Sequence, residues 1–117
     1  MDKVTLTDKL TQLDDHWSPR VVADYNGNDV MLAKFSGEFH WHSHPDTDDF
    51  FLVVQGRVAI DLPDQTLELD VGDLFVVPAG IEHRPRALSL EAAVLLIEPK
   101  GTPNTGDAAI AAPKPRL

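Results

Sequence analysis

His42 and His44 stand two residues apart inside the stretch GEFHWHSHPDTDDFFLVVQG, residues 37–56. A strand turns residues i and i+2 to the same face, so both imidazoles can aim at one point. Asp49 follows the turn Pro45-Asp46-Thr47-Asp48 and opens an apolar run that reads as a second strand lying back against the first. Two imidazoles and a carboxylate then converge, which is the start of a metal site that still lacks a partner. The chain has no cysteine. Disulfides, thiolate metal sites and cysteine nucleophiles are therefore excluded, and any metal must be held by nitrogen and oxygen. Two neighbours compete for roles. His40 shares the strand face of His42 and His44, where it either reaches the same cavity as a proton-transfer group or lies beyond it at the strand's beginning. Asp48 is the alternative carboxylate to Asp49.

The elements that must position these groups are short and mostly extended. From residue 20 onward, apolar stretches alternate with turn residues, the pattern of an all-β sandwich or barrel. Stretches 21–25 and 29–35 flank Asn26-Gly27-Asn28, where Asn-Gly is a strong hairpin signal. Strands are then expected over 40–44, 50–54, 57–62, 65–69 and 74–77, from His83 onward, and over 91–98. About eight or nine strands in so short a span predict a closed or nearly closed barrel. Ahead of them, Leu6, Leu10, Leu13 and Trp17 recur at the spacing of one helix face. They predict a short amphipathic helix that starts near Thr5, stops at Ser18-Pro19 and packs on something larger. His16 at its end is expected to be solvated and Trp17 to be a packing residue.

A second constellation is Gly72-x5-Pro78-x-Gly80-x2-His83. Gly72 belongs to a tight turn, 74–77 to a buried strand, and Pro78-Ala79-Gly80 to a turn that delivers His83. Together with Gly37, His42-x-His44, Asp49 and Gly56, this pattern resembles the two motif regions of the cupin superfamily. The resemblance covers about residues 37–87, with β-rich flanks extending it to roughly 20–98. Two positions depart from the family pattern: Asp49 stands where a glutamate is usual, and Ala87 stands where the second motif ends in asparagine. The runs WHSHPDTDDFFLVVQG, PAGIEHRP and IEPKGTPNTGD look closer still to stand-alone bacterial single-domain cupins, often loosely labelled as related to mannose-6-phosphate isomerase.

The resemblance implies a double-stranded β-helix, or jelly-roll barrel, with a short N-terminal helix. It also implies that His42, His44, Asp49 and His83 hold one divalent transition metal, with Fe, Mn, Ni, Co, Cu and Zn all compatible with three imidazoles and a carboxylate. The expected activity is that of a metal-dependent enzyme acting on a small organic molecule, of isomerase, dioxygenase or decarboxylase type. The alternative is a small-molecule binding or sensing module without turnover. A fold of this kind is shared by unrelated activities, so the label alone carries little chemistry.

The remaining features bound the partners. At 117 residues the chain is long enough for one hydrophobic core, and its expected organisation is an N-terminal helical segment over 1–19, a barrel over 20–99 and a loop with a mobile tail over 100–117. A formal charge of −9 argues against nucleic acid and anionic membrane surfaces as partners. No signal-like or membrane-spanning apolar run is present in the sequence, so the cytoplasm is the expected location. The run Phe50-Phe51-Leu52-Val53-Val54 is apolar on both faces, which suggests a homodimer formed through its outer side. Glu82, Arg84 and Arg86 around His83 read as surface ion pairs, and Trp41 as a core or interface anchor.

Overall fold

The computed structural model describes residues 1–107 and 114–117. Its strands are β1 (Arg20–Tyr25), β2 (Asn28–Phe35), β3 (Asp49–Gln55), β4 (Val58–Leu62), β5 (Gln65–Leu69), β6 (Leu74–Val77), β7 (Arg84–Ala87) and β8 (Ala92–Pro99), preceded by one helix, α1 (Leu6–Leu10). All pairings among these strands are antiparallel, in a five-stranded sheet of order β1-β2-β8-β3-β6 and a three-stranded sheet of order β5-β4-β7. The two sheets form a jelly-roll β-barrel. Among the described residues no helix is long and apolar enough to cross a membrane.

Alternation decides what lies inside. On β8, Ala92, Val94 and Leu96 are buried, with Val94 fully so, and on β2 they face Met31, Ala33 and Phe35 in one cluster with Phe51, Val53, Val58, Ile60 and Val77. Asn26 (φ 47°) and Gly27 (φ 77°) turn β1 into β2; both lie in the left-handed region that a tight hairpin turn requires. A second cluster joins Leu10, Leu13, Val22, Leu32 and Ala93, with Val4, Leu6, Val54 and Leu117 around it. This is how the N-terminal segment packs on the outside of the barrel.

The helix expected through Trp17 closes at Leu10. Tertiary bonds take the place of its later turns: the Leu13 carbonyl accepts from Lys34 Nζ at 2.9 Å, and the Trp17 amide donates to the Lys34 carbonyl at 2.9 Å. A five-residue helix has little stability of its own, so the chain follows the packing instead. Trp17 adopts φ 57°, a left-handed conformation costing a bulky residue about 1–2 kcal/mol. Its ring stacks on Phe35 at 4.2 Å, and its indole N–H donates to the Ser36 carbonyl at 2.9 Å.

The strand expected over 40–44 is also absent. His42 and His83 exchange backbone hydrogen bonds of 3.0 and 2.9 Å, yet the pairing is isolated. In a regular ladder the neighbouring pair would place His40 opposite Pro85, and proline has no N–H to offer the His40 carbonyl. The ladder stops there, and Phe39 supplies the amide that reaches the Pro85 carbonyl at 3.0 Å.

Of the expected tail over 108–117, residues 108–113 lie outside the described residues. Residues 114–117 are not loose. The Val21 amide donates to the Pro115 carbonyl at 3.0 Å, the Leu117 amide donates to the Val21 carbonyl at 2.9 Å, and Arg116 pairs with Asp24 at 2.7 Å.

Candidate metal centre

His42, His44, Asp49 and His83 are all buried, and one donor atom from each lies within 4.8 Å of the others. The connecting geometry follows from the backbone. The reciprocal bond between His42 and His83 ties the two motifs together, and the Gly80 amide donates to the His44 carbonyl at 2.8 Å. Asp49 is the first residue of β3 and pairs with Val77 at the end of β6, so its side chain points inward in phase with Phe51 and Val53.

The ring orientations can be read from hydrogen bonds. His83 Nδ1 lies 2.9 Å from the Ile81 carbonyl and His42 Nδ1 lies 3.1 Å from the His40 carbonyl. A carbonyl only accepts, so both Nδ1 atoms carry hydrogen and both Nε2 atoms are left facing the centre. Asp49 Oδ2 is 2.8 Å from His83 Nε2, 3.2 Å from His44 Nε2 and 4.0 Å from His42 Nε2. The Asp49 carboxylate oxygen and the three Nε2 atoms converge on one point, as donors around a shared cation would. Donors sharing an ion with bonds of about 2.1 Å lie about 3 Å apart when adjacent and about 4.2 Å apart when opposed. The observed separations fall in that range.

His44 makes the same point differently. Neither ring nitrogen has a hydrogen-bond partner among the described residues, although both are buried. The 3.2 Å approach to Asp49 is an electrostatic contact whose angle does not suit a hydrogen bond. An unsatisfied buried polar atom costs about 1–3 kcal/mol, and a ligated ion would remove that cost. Nitrogen and oxygen donors without thiolate suit a divalent first-row transition metal.

The electrostatics are those of a site prepared for positive charge. Burial, outweighing the helpful His40 carbonyl, pulls the His42 imidazole down to about 4, so the ring is neutral near pH 7. Burial also pushes the Asp49 carboxyl upward, but the close approach of the His44 and His83 imidazoles overcomes it and holds Asp49 below the usual carboxylate range. For His44, burial acts downward and the Asp49 carboxylate reverses it, leaving the ring above its ordinary value. Asp49 acts upward on both the His42 and His44 rings, against burial, and prevails only at His44.

The alternatives resolve by position. Asp48 is exposed, and its Oδ1 accepts from the Ala79 amide at 3.0 Å, so it fixes the turn before His83. His40 is exposed as well; its ring rests on Phe39 at 4.1 Å. It touches the centre through its carbonyl, which orients His42, and through its ring, which meets the His42 ring edge-on at 5.5 Å. The irregular backbone at Pro85 is what frees that carbonyl.

A small cavity of about 30 Å³ adjoins the centre, lined by His42 and Asp49 at one end and by Trp17, Phe35, Phe39 and Phe51 along its walls. By volume it holds one or two waters. Glu98 lines it too. Glu98 ends the strand expected over 91–98 and occupies the inward position that continues Ala92, Val94 and Leu96, a signal available from alternation alone. Burial, then the Asp49 charge, raise its carboxyl, while Lys114 opposes both. The Arg84 and Arg86 ion pairs expected at the surface are present, but they converge on a buried residue, Asp61.

A family model described as a cupin domain matches residues 29–98. The chain is 40% identical over 67 residues to protein YdbB of Bacillus subtilis (strain 168), a match that covers 56% of this chain and spans 59% of that relative's length. It is similar to the crystal structure of a cupin-2 domain containing protein from Shewanella frigidimarina NCIMB 400, at 41% identity and TM-score 0.80, covering 83% of this chain and 94% of that one. It also resembles a hydroquinone 1,2-dioxygenase from Sphingomonas sp. TTNP3, with TM-score 0.75 and 19% identity over 84% of this chain and 32% of that one. That last likeness is one of fold.

Proposed function

This chain belongs to the cupin family, and on that premise we propose that it is a metal-dependent enzyme of small-molecule metabolism, with His42, His44, Asp49 and His83 as the ligands of one divalent transition metal. The observation that carries this reading is the meeting of Asp49 with three imidazoles whose remaining nitrogens have nothing else to bind, at separations of 2.8, 3.2 and 4.0 Å. A bound ion would supply Lewis acidity, or a binding position for oxygen or a substrate oxygen, as isomerisation, decarboxylation and dioxygenation each require. The chain's own residues would do the rest. The His40 and Ile81 carbonyls hold two of the rings in the ligating tautomer. Trp17, Phe35, Phe39 and Phe51 keep the adjoining cavity apolar and limit bulk water there.

A homodimer is part of the proposal. The outer face of β3 and β6 pairs Phe50 with Val76 and Leu52 with Leu74; Leu74 is 51% and Val76 38% exposed, which gives an apolar strip suited to a second copy. A cytoplasmic location is proposed with it, to be checked by fractionation.

Elemental analysis of protein purified without chelators tests the reading first. About one ion of Fe, Mn, Ni, Co, Cu or Zn per chain is expected, with most of it lost in His83→Ala. Protein that is metal-free and takes up none of these ions would end the proposal. The ion found then selects the turnover assays: oxygen uptake, and product analysis over sugars, diketones and aromatic acids.

A further inference from the structure

Glu98 is a carboxylate on the core face of β8, 4% exposed, at the end of an otherwise apolar row. Removing a carboxylate from water costs several kcal/mol unless it is compensated. Part of that cost is offset by Lys114, whose Nζ donates to Oε2 at 2.7 Å. Lys114 itself is held in place by the Thr102 carbonyl. Glu98 lines the cavity that His42 and Asp49 also line, and the walls between them are aromatic and aliphatic: Trp17, Phe35, Phe39 and Leu96 among them. Whatever reaches His42 and Asp49 from this side passes an apolar wall with the Glu98 carboxyl group beside it.

Resting on the metal reading above, we propose that Glu98 selects the substrate: it accepts a hydrogen bond from a neutral hydroxyl- or N–H-bearing group inserted into the cavity, and it disfavours anions. The small volume means that only the reactive end of such a molecule enters the cavity as it stands. The competing role is a latch, in which the Glu98–Lys114 pair merely fastens the C-terminal residues to the barrel. Charge separates the two. A latch is broken equally from either side, whereas a selecting carboxylate is neutralised by changing Glu98 and left more negative by changing Lys114.

The test uses cobalt-loaded protein, whose visible spectrum reports both ion uptake and ligand binding, with azide as the anionic probe and imidazole as the neutral N–H donor. Glu98→Gln, which keeps the shape and can still accept from Lys114, is expected to bind azide about tenfold more tightly than the unaltered protein. Its imidazole affinity is expected to hold or fall. Lys114→Met is expected to bind azide more weakly. Azide affinities within twofold of one another in all three proteins would overturn the proposal, as would changes of the same sign in both variants, the signature of a latch. Failure of the unaltered protein to take up cobalt is a different result, and it removes the metal reading on which the proposal stands.

Discussion

Replacing Asp49 by asparagine removes one charge and leaves the shape of the site nearly unchanged. The oxygen lost as a ligand is the one that lies 2.8 Å from His83 and 3.2 Å from His44, and Asp49 itself is 4% exposed. Breaking a buried charge pair by neutralising one partner costs about 3–5 kcal/mol, so Asp49→Asn should weaken metal affinity by about two to four orders of magnitude. The loss should show in stability too. An ion present at about a thousand times its Kd stabilises the fold by about 4 kcal/mol, which for a domain of this size is a rise in Tm of roughly 10–20 °C. The assay is thermal unfolding at neutral pH with and without added metal, alongside competition against a chelator of known affinity. Asp48→Asn is the control. It perturbs an exposed acceptor for the Ala79 amide, costs about 1 kcal/mol at most and leaves the metal-dependent rise in place. If Asp49→Asn kept its metal affinity within tenfold, or if Asp48→Asn lost it, the ligand assignment would be wrong.

Acid stability should depend on Asp61. Burial pushes its carboxyl up, but hydrogen bonds from Arg86, Thr66 and Arg84 overcome this and hold it at about 2 against an ordinary 3.8. Because the folded value is depressed, the stabilisation is present above about pH 4 and fades as pH falls through about 2; it amounts to about 2 kcal/mol before screening at the partly exposed arginines. Urea titrations from pH 7 to pH 2 should show Asp61→Asn less stable at neutrality and less sensitive to acid, and an unchanged pH profile would contradict this. Gly106 (φ 76°) lies against the Ser43 carbonyl, where an added Cβ has no room. Gly106→Ala should therefore displace the backbone between His42 and His44 and lower metal affinity by at least tenfold, with β-sheet content by circular dichroism retained. Finally, Leu74→Lys should convert a dimer to a monomer in light scattering without loss of metal; a protein already monomeric at high concentration would refute the interface.

How much of this was legible beforehand depends on the range of the forces involved. Apolar runs and turn chemistry are local, so the strand over 29–35 and the Asn26-Gly27 turn could be read from the chain alone, whereas the run 50–54, apolar on both sides, did not show which face lies inward. The candidates His42, His44, Asp49 and His83 were legible through the resemblance of their motifs to the cupin pattern, and the fold brings the four together. The helix through Trp17 was misread because its apolar spacing is equally satisfied by a bent segment whose backbone bonds go to Lys34. Nothing local distinguishes the two; the competition is settled by a strand that follows later in the chain.

The sequence by itself determined the residue types at the centre, the absence of thiolate and the all-β character, since these follow from composition, spacing and alternation. Only the tertiary structure decided which atoms face the centre. Pro85, lying opposite His40, interrupts the ladder and frees a carbonyl to orient His42. His44 is buried with both ring nitrogens lacking a hydrogen-bond partner among the described residues. Glu98 becomes part of the same cavity because β8 crosses the barrel between β2 and β3. Those facts depend on contacts between residues far apart in the chain, where burial and geometry rather than local preference set the energy.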